Sequence, residues 1–286
     1  MEVALIKPQG FCSGVTRAVE LAKKAKNENP DKNIYILGML AHNQSLIDDL
    51  TRDGFITLSG NEEEEISRLH NGDVLIFTAH GHSSKLDELA KEKGLITYDA
   101  TCFKVLDNLK KIRQEISNGH QVIYIGQKGH KEANAALSVS QNVSLYDTQL
   151  LINYQLITDK NPYVINQTTL NFYELNKYHN DILNHFPGAR IENEICNATR
   201  LRQEAMLKVD LGTDLIIVVG HSKSSNSNKL FDIAKTNYPN TTVLMVNNLK
   251  ELKAYNLEGK RKAAVGSGAS TPQYIVDEIF NYLITL

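Results

Sequence analysis

The residues whose spacing carries the most chemistry in this sequence are its three cysteines, Cys12, Cys102 and Cys196, which lie 90 and 94 residues apart. No pair is close enough for a C-x-x-C redox motif or a zinc knuckle. Each stands between a short apolar segment and a run with helical spacing. Each thiol is therefore expected at a helix N-terminus, where the dipole and the unpaired N–H groups favour thiolate. Three such thiols around a pseudo-threefold axis would suit a cubane iron–sulfur cluster whose fourth iron stays open as a Lewis acid. They would also suit zinc, with His42, His80 or His130 as the fourth ligand. The plain alternative is three small side chains buried in a core. Spacing alone leaves all three readings open.

The elements that must position these thiols recur in thirds. The apolar segments before the cysteines are residues 3–6, 95–98 and, more weakly, 189–195. The helical runs after them are marked by Val15, Ala18, Val19 and Ala22; by Val105, Leu109, Ile112 and Ile116; and, more loosely, by Leu201, Ala205, Leu207 and Val209. A β-branched run then ends in Gly38, Gly126 or Gly220, at offsets of 26, 24 and 24 from the cysteines. A second short strand follows in each third, at residues 74–77, 163–165 and 263–265. The reading is three α/β units, 1–93, 94–187 and 188–286, each with a small, mainly parallel sheet flanked by helices.

Ligands of open α/β sheets sit beyond the carboxyl ends of the strands. The polar residues there are Ala41-His42-Asn43, Thr78-Ala79-His80-Gly81, Gly129-His130-Lys131-Glu132, Asn166-Gln167-Thr168-Thr169, Ser224-Ser225-Asn226-Ser227-Asn228 and Gly268-Ala269-Ser270. Histidines at corresponding positions suggest anion binding, because imidazolium donates hydrogen bonds to phosphate. Ser224, Ser225, Asn226, Asn228 and Ser270 add neutral donors. Glu132 is the one carboxylate among these clusters, and a buried carboxyl can deliver a proton. Taken singly, a surface glutamate, a polar histidine or a capped solvent loop is the ordinary reading of each. There is no G-x-x-x-x-G-K-[ST] and no G-x-G-x-x-G at a first βα turn, so no nucleotide is indicated.

Composition narrows the class. The chain has 286 residues, 42% hydrophobic and 22% charged, with 31 Lys and Arg against 33 Asp and Glu. That balance excludes disorder and argues against a nucleic-acid binder. No apolar run approaches a membrane span and no leader-like segment opens the sequence, so a soluble cytoplasmic protein is expected. Glu62 to Glu65 read as a solvated helix face.

The ordered set of motifs resembles the IspH/LytB family of 4-hydroxy-3-methylbut-2-enyl diphosphate reductases. It includes Gly10-Phe11-Cys12-Ser13-Gly14-Val15, Asp99-Ala100-Thr101-Cys102, Gln167-Thr168-Thr169-Leu170 and Ile195-Cys196-Asn197-Ala198-Thr199 besides the polar clusters above, and runs from residue 10 to 270. The resemblance implies a trefoil-like monomer of three α/β domains around a central [4Fe-4S] cluster held by Cys12, Cys102 and Cys196. It implies a diphosphate pocket of His42, His80, His130, Ser224, Ser225, Asn226 and Ser270. It implies Glu132 as proton donor, with Thr168 beside the substrate hydroxyl. The reaction implied is reductive dehydroxylation, the last step of the non-mevalonate isoprenoid pathway, yielding isopentenyl and dimethylallyl diphosphates. Reduced ferredoxin or flavodoxin is the implied electron donor. The chain departs from the family pattern at Phe103-Lys104, where proline usually follows the cysteine, at Lys131 in place of a proline, at His82 and at Lys223.

Overall fold

The computed structural model describes residues 1–150 and 152–286. The first third runs β1 (Glu2–Leu5), α1 (Ser13–Glu28), β2 (Ile34–Leu37), α2 (Gln44–Arg52), β3 (Phe55–Leu58), α3 (Glu62–Ser67), β4 (Val74–Phe77) and α4 (Ser84–Glu92). The second runs β5 (Ile96–Asp99), α5 (Phe103–Ser117), β6 (Val122–Gly126), α6 (Lys131–Leu137), β7 (Val143–Asp147), β8 (Tyr163–Asn166) and α7 (Leu175–His185). The last runs β9 (Arg190–Ile191), α8 (Asn197–Met206), β10 (Leu215–Val219), α9 (Ser225–Asn237), β11 (Thr242–Val246), α10 (Leu249–Leu252), β12 (Lys262–Ser267) and α11 (Gln273–Ile284).

The described residues form three four-stranded parallel sheets, with orders β3-β2-β4-β5, β7-β6-β8-β9 and β11-β10-β12-β1. The topology is the same each time. The central strands β4, β6, β8 and β10 are buried along their whole length, as expected of parallel strands covered on both faces. The α/β reading with three small sheets therefore holds.

The strand before each cysteine differs from the sequence reading. It does not open its own unit but completes the preceding sheet: β5 pairs with β4, β9 with β8, and β1 with β12. The sheets thus fall one strand away from divisions at residues 94 and 188. The physical reason is backbone pairing. β4, β8 and β12 each have an open edge, and a short extended segment gains ladder hydrogen bonds there.

By compactness the chain forms two units. One comprises Met1–Thr16, Ala41–Gly54 and Asn197–Leu286, and carries the β11-β10-β12-β1 sheet with α2. The other comprises Arg17–Leu40 and Phe55–Cys196, and carries the remaining two sheets.

The helix predictions hold for α1 and α5, which bury Val15, Ala18 and Ala22 and Val105, Leu109 and Ile112. The third helix has a different phase. α8 buries Thr199, Arg202, Gln203 and Met206, whereas Leu201 is exposed and Leu207 and Val209 lie beyond its end. Arg202 makes this polar face possible by donating to the carbonyls of Gly10 at 2.8 Å and Ala198 at 3.0 Å. A buried charge with paired N–H groups competes with an apolar stripe. Glu62 to Glu65 form the first turn of α3, capped by the Asn61 side chain, where four carboxylates suit the positive end of the dipole.

Candidate active site

Every sequence-predicted site residue lies just beyond the carboxyl end of a strand. Cys12, Cys102 and Cys196 follow the fourth strand of a sheet and immediately precede α1, α5 and α8. Their backbones are held alike. Cys12 N–H donates to Ala269 O at 2.9 Å, Cys102 N–H to Ala79 O at 3.0 Å, and Cys196 N–H to Thr168 O at 3.1 Å. Each acceptor belongs to the loop after the neighbouring strand β12, β4 or β8. The threefold repeat thus extends to individual hydrogen bonds. All three cysteines are partly exposed and none is in a disulfide. Cys12 is in one unit, and Cys102 and Cys196 are in the other. Within either unit, no three His, Cys, Asp or Glu side chains among the described residues are grouped to hold a metal ion.

In the larger unit, Glu132 is the chemical centre. It occupies the first turn of α6 and is 3% exposed. Oε1 accepts from Thr168 N–H at 2.8 Å and from the Tyr124 hydroxyl at 3.1 Å, and Oε2 accepts from Thr168 Oγ1 at 3.0 Å. Burial pushes its carboxyl up to about 7, against the opposing pull of those donors. A carboxyl poised there is protonated for half the population at neutral pH, as a general acid requires. Sequence reasoning missed Tyr124. The signal was available: it has the only side-chain polar atom in the buried strand β6, and a buried tyrosine hydroxyl needs a partner.

His130 is the N-cap of α6 and accepts Glu132 N–H at Nδ1, 3.2 Å away. Its Nε2 must then carry the hydrogen. Burial lowers its pKa to about 4, so the ring is neutral at pH 7. The sequence reading expects imidazolium donors; at His130 burial instead favours the neutral ring, which donates through an N–H. The His80 ring meets His130 edge-on, with centroids 6.0 Å apart.

In the smaller unit, the N-terminus of α9 collects the neutral donors. Ser224 is its N-cap, accepting Ser227 N–H at 3.3 Å. Ser225 and Asn226 are buried in its first turn. Both polar atoms of the Asn226 amide are buried without a hydrogen-bond partner among the described residues. Burying such a group costs about 1–3 kcal/mol, so a ligand-binding role is the economical explanation. The helix approaches this closely because Gly220 and Gly268 lack a Cβ, which at either position would collide with Ser227 Oγ. Ser270 Oγ donates to His42 O at 3.0 Å and joins two of the predicted binding segments. Asn43 caps α2 by accepting Leu46 N–H at 3.0 Å.

Four of the residues that depart from the family pattern, Lys131, Lys104, Phe103 and His82, find local partners. Lys131 stays partly exposed and pairs elsewhere than with Glu132. Its ammonium bonds Leu37 O at 2.9 Å and Glu62 at 2.7 Å. Lys104, two residues after Cys102, pairs with the buried Glu194, two residues before Cys196. Phe103 is exposed beneath the Arg17 guanidinium, 5.4 Å from its ring. His82 stacks on Phe77 at 3.7 Å and bonds Asp87 at 3.0 Å.

The family described as LytB protein matches residues 3–284, nearly the whole chain. The chain belongs to the LytB family. Two curated relatives named 4-hydroxy-3-methylbut-2-enyl diphosphate reductase are from Macrococcus caseolyticus, 40% identical over 99% of this chain and 89% of the relative, and Lysinibacillus sphaericus, 38% identical over 99% and 88%. The solved E-1-hydroxy-2-methyl-but-2-enyl-4-diphosphate reductase from Plasmodium falciparum superposes with a TM-score of 0.87 at 29% identity, covering 99% of this chain and 87% of that one. A second solved structure, titled (E)-4-hydroxy-3-methyl-but-2-enyl diphosphate reductase, the terminal enzyme of the non-mevalonate pathway, gives 0.70 at 27% identity with both chains fully covered. The LytB chain is accordingly an oxidoreductase with the fold of these reductases. Among its described residues no helix is long and apolar enough to cross a membrane.

Proposed function

We propose that this LytB chain reduces 4-hydroxy-3-methylbut-2-enyl diphosphate to isopentenyl and dimethylallyl diphosphates. Two electrons and two protons are consumed, the allylic C–O bond breaks, and the hydroxyl leaves as water. The observation that carries the reading is the link through Thr168. Its N–H and hydroxyl bind the Glu132 carboxyl, and its carbonyl receives the Cys196 N–H. One residue therefore connects a proton donor poised near neutrality to a thiol loop.

The donor set fits an iron–sulfur cluster. Three thiols with equivalent backbone anchors at helix N-termini are soft ligands. Cys12, Cys102 and Cys196 would hold three irons of a [4Fe-4S] cluster. When bound, it would supply electrons, one at a time from reduced ferredoxin or flavodoxin, and Lewis acidity at its open iron. The chain's own residues do the rest. Ser224, Ser225, Asn226 and Ser270, with His42, His80 and His130, would bind the diphosphate and orient the allylic alcohol. His130, whose ring burial keeps neutral, would donate through Nε2–H. Glu132 would pass its proton to the leaving hydroxyl through Thr168 Oγ1. The enzyme would work as a soluble cytoplasmic monomer, without nucleic acid or membrane.

The test is anaerobic purification, followed by iron and acid-labile sulfide analysis and assay with the allylic diphosphate. About four of each per chain with turnover is expected. A colourless protein with about one zinc and no turnover would replace the proposal by a structural metal site. Asn226→Ala should raise KM for the diphosphate about tenfold or more, the worth of a hydrogen bond to a charged group, at unchanged iron content. An unaltered KM would remove Asn226 from the binding site.

A further inference from the structure

Glu132 has two carboxyl oxygens in different surroundings. Oε1 receives two donors, Thr168 N–H at 2.8 Å and the Tyr124 hydroxyl at 3.1 Å. Oε2 receives one, the Thr168 hydroxyl at 3.0 Å. An oxygen that accepts two hydrogen bonds cannot readily carry the acid proton, since one donor would have to turn away. The main-chain N–H cannot turn. A hydroxyl opposite Oε2 can, because threonine both donates and accepts.

We propose that Tyr124 is a positioning residue for the proton step: with Thr168 N–H it saturates Oε1 and so keeps the transferable proton on Oε2, against the Thr168 hydroxyl. The inference rests on the reaction proposed above. The proton on Oε2 then passes to Thr168 Oγ1 as the threonine's own proton goes to the departing hydroxyl. Glu132 is left as carboxylate, and no charge resides on Tyr124.

The phenol suits this role. It is 1% exposed on the central strand β6, and burial beside Glu132 raises its pKa well above the ordinary value, so it stays a donor. The other groups around Glu132 do not compete for Oε1. His130, preceding α6, takes the Glu132 main-chain N–H at Nδ1. Lys131 is committed to Leu37 O and Glu62. From the loop after β8, Thr168 gives the carboxyl both its N–H and its hydroxyl.

Tyr124→Phe keeps the ring and removes the donor. Measurements on the full chain, purified anaerobically, are infrared difference spectra of the Glu132 carboxyl against pH and the pH profile of kcat. The protonated C=O band is expected at higher wavenumber. The limb on which kcat falls with rising pH should move up by about half a unit to one unit, because a donor to the carboxylate is lost. kcat should fall up to about tenfold while KM stays within about twofold. A purely structural role would leave the band and the limb in place, and that result overturns the proposal. Should the variant fold poorly, 3-fluorotyrosine incorporated at position 124 is a stronger donor of nearly the same shape. It should shift band and limb the opposite way, and no shift again overturns the proposal. A parent chain without turnover would overturn the reaction itself and the proton step with it. A parent that turns over, with an unmoved band in both variants, sinks Tyr124 alone.

Discussion

Glu132→Gln is expected to lower kcat by about 100-fold or more while iron content and KM remain within about twofold of the parent. The amide keeps the shape of the side chain. Its oxygen can still accept from Thr168 N–H and Tyr124, and its NH2 can donate to Thr168 Oγ1, so the local hydrogen bonds survive. Only the acidic proton is missing. In the parent, kcat should fall as pH rises through about 7, where the carboxyl ionises. The residual activity of the variant should lack that limb. Near-parental turnover would exclude Glu132 as the acid.

The same substitution has a stability signature of opposite sign. The folded carboxyl titrates at about 7, above its ordinary value of 4.5. The folded chain therefore holds this proton more tightly than the unfolded chain. Its contribution to stability is fully present below about 4.5 and is lost as pH rises through about 7. At pH 8 the ionised side chain is a net cost on the order of 3 kcal/mol, which glutamine does not incur. Glu132→Gln should thus melt higher than the parent at pH 8 and at nearly the same temperature near pH 4. A variant that loses both turnover and stability at pH 8 would point to damaged packing.

Cys102→Ser is expected to abolish activity, with iron and sulfide per chain falling to a small fraction of the parent value. Two thiols and a hard hydroxyl are a poor ligand set for a cubane cluster. Misfolding is readily separated from ligand loss here. Cys102 is the N-cap of α5, and serine is among the best N-cap residues. The metal-free variant should therefore melt no lower than the metal-free parent. Full iron content and activity would dismiss Cys102 as a ligand. A metal-free variant that melts far below the metal-free parent would make Cys102 a packing residue instead.

Much of the site was legible from sequence because its chemistry sits at repeated positions. Glycine or small polar residues after an apolar run mark a strand end in any parallel sheet, and the same interval from each cysteine tied the three repeats together. That is how His42, His80, His130, Glu132, Ser224 to Asn226 and Ser270 stand out as candidates. Lys131 was legible only as a departure from the family pattern. Its ion pair with Glu62 joins residues 69 apart in the chain, and no local pattern encodes such a pairing.

By itself, then, the sequence determined the three α/β repeats, the helices after Cys12 and Cys102, and the set of polar residues that close each strand. These follow from short-range periodicity, which a strand buried on both faces or a helix buried on one face must display. Only the tertiary structure decided that β1, β5 and β9 complete the preceding sheet, since an extended segment carries no mark of which open edge it will join. It alone turned the polar face of α8 inward, where Arg202 finds the Gly10 carbonyl 192 residues away. It alone set Tyr124 and Thr168 around Glu132, and with them the burial that raises that carboxyl toward neutrality, because desolvation is a property of the surrounding packing and not of the residue.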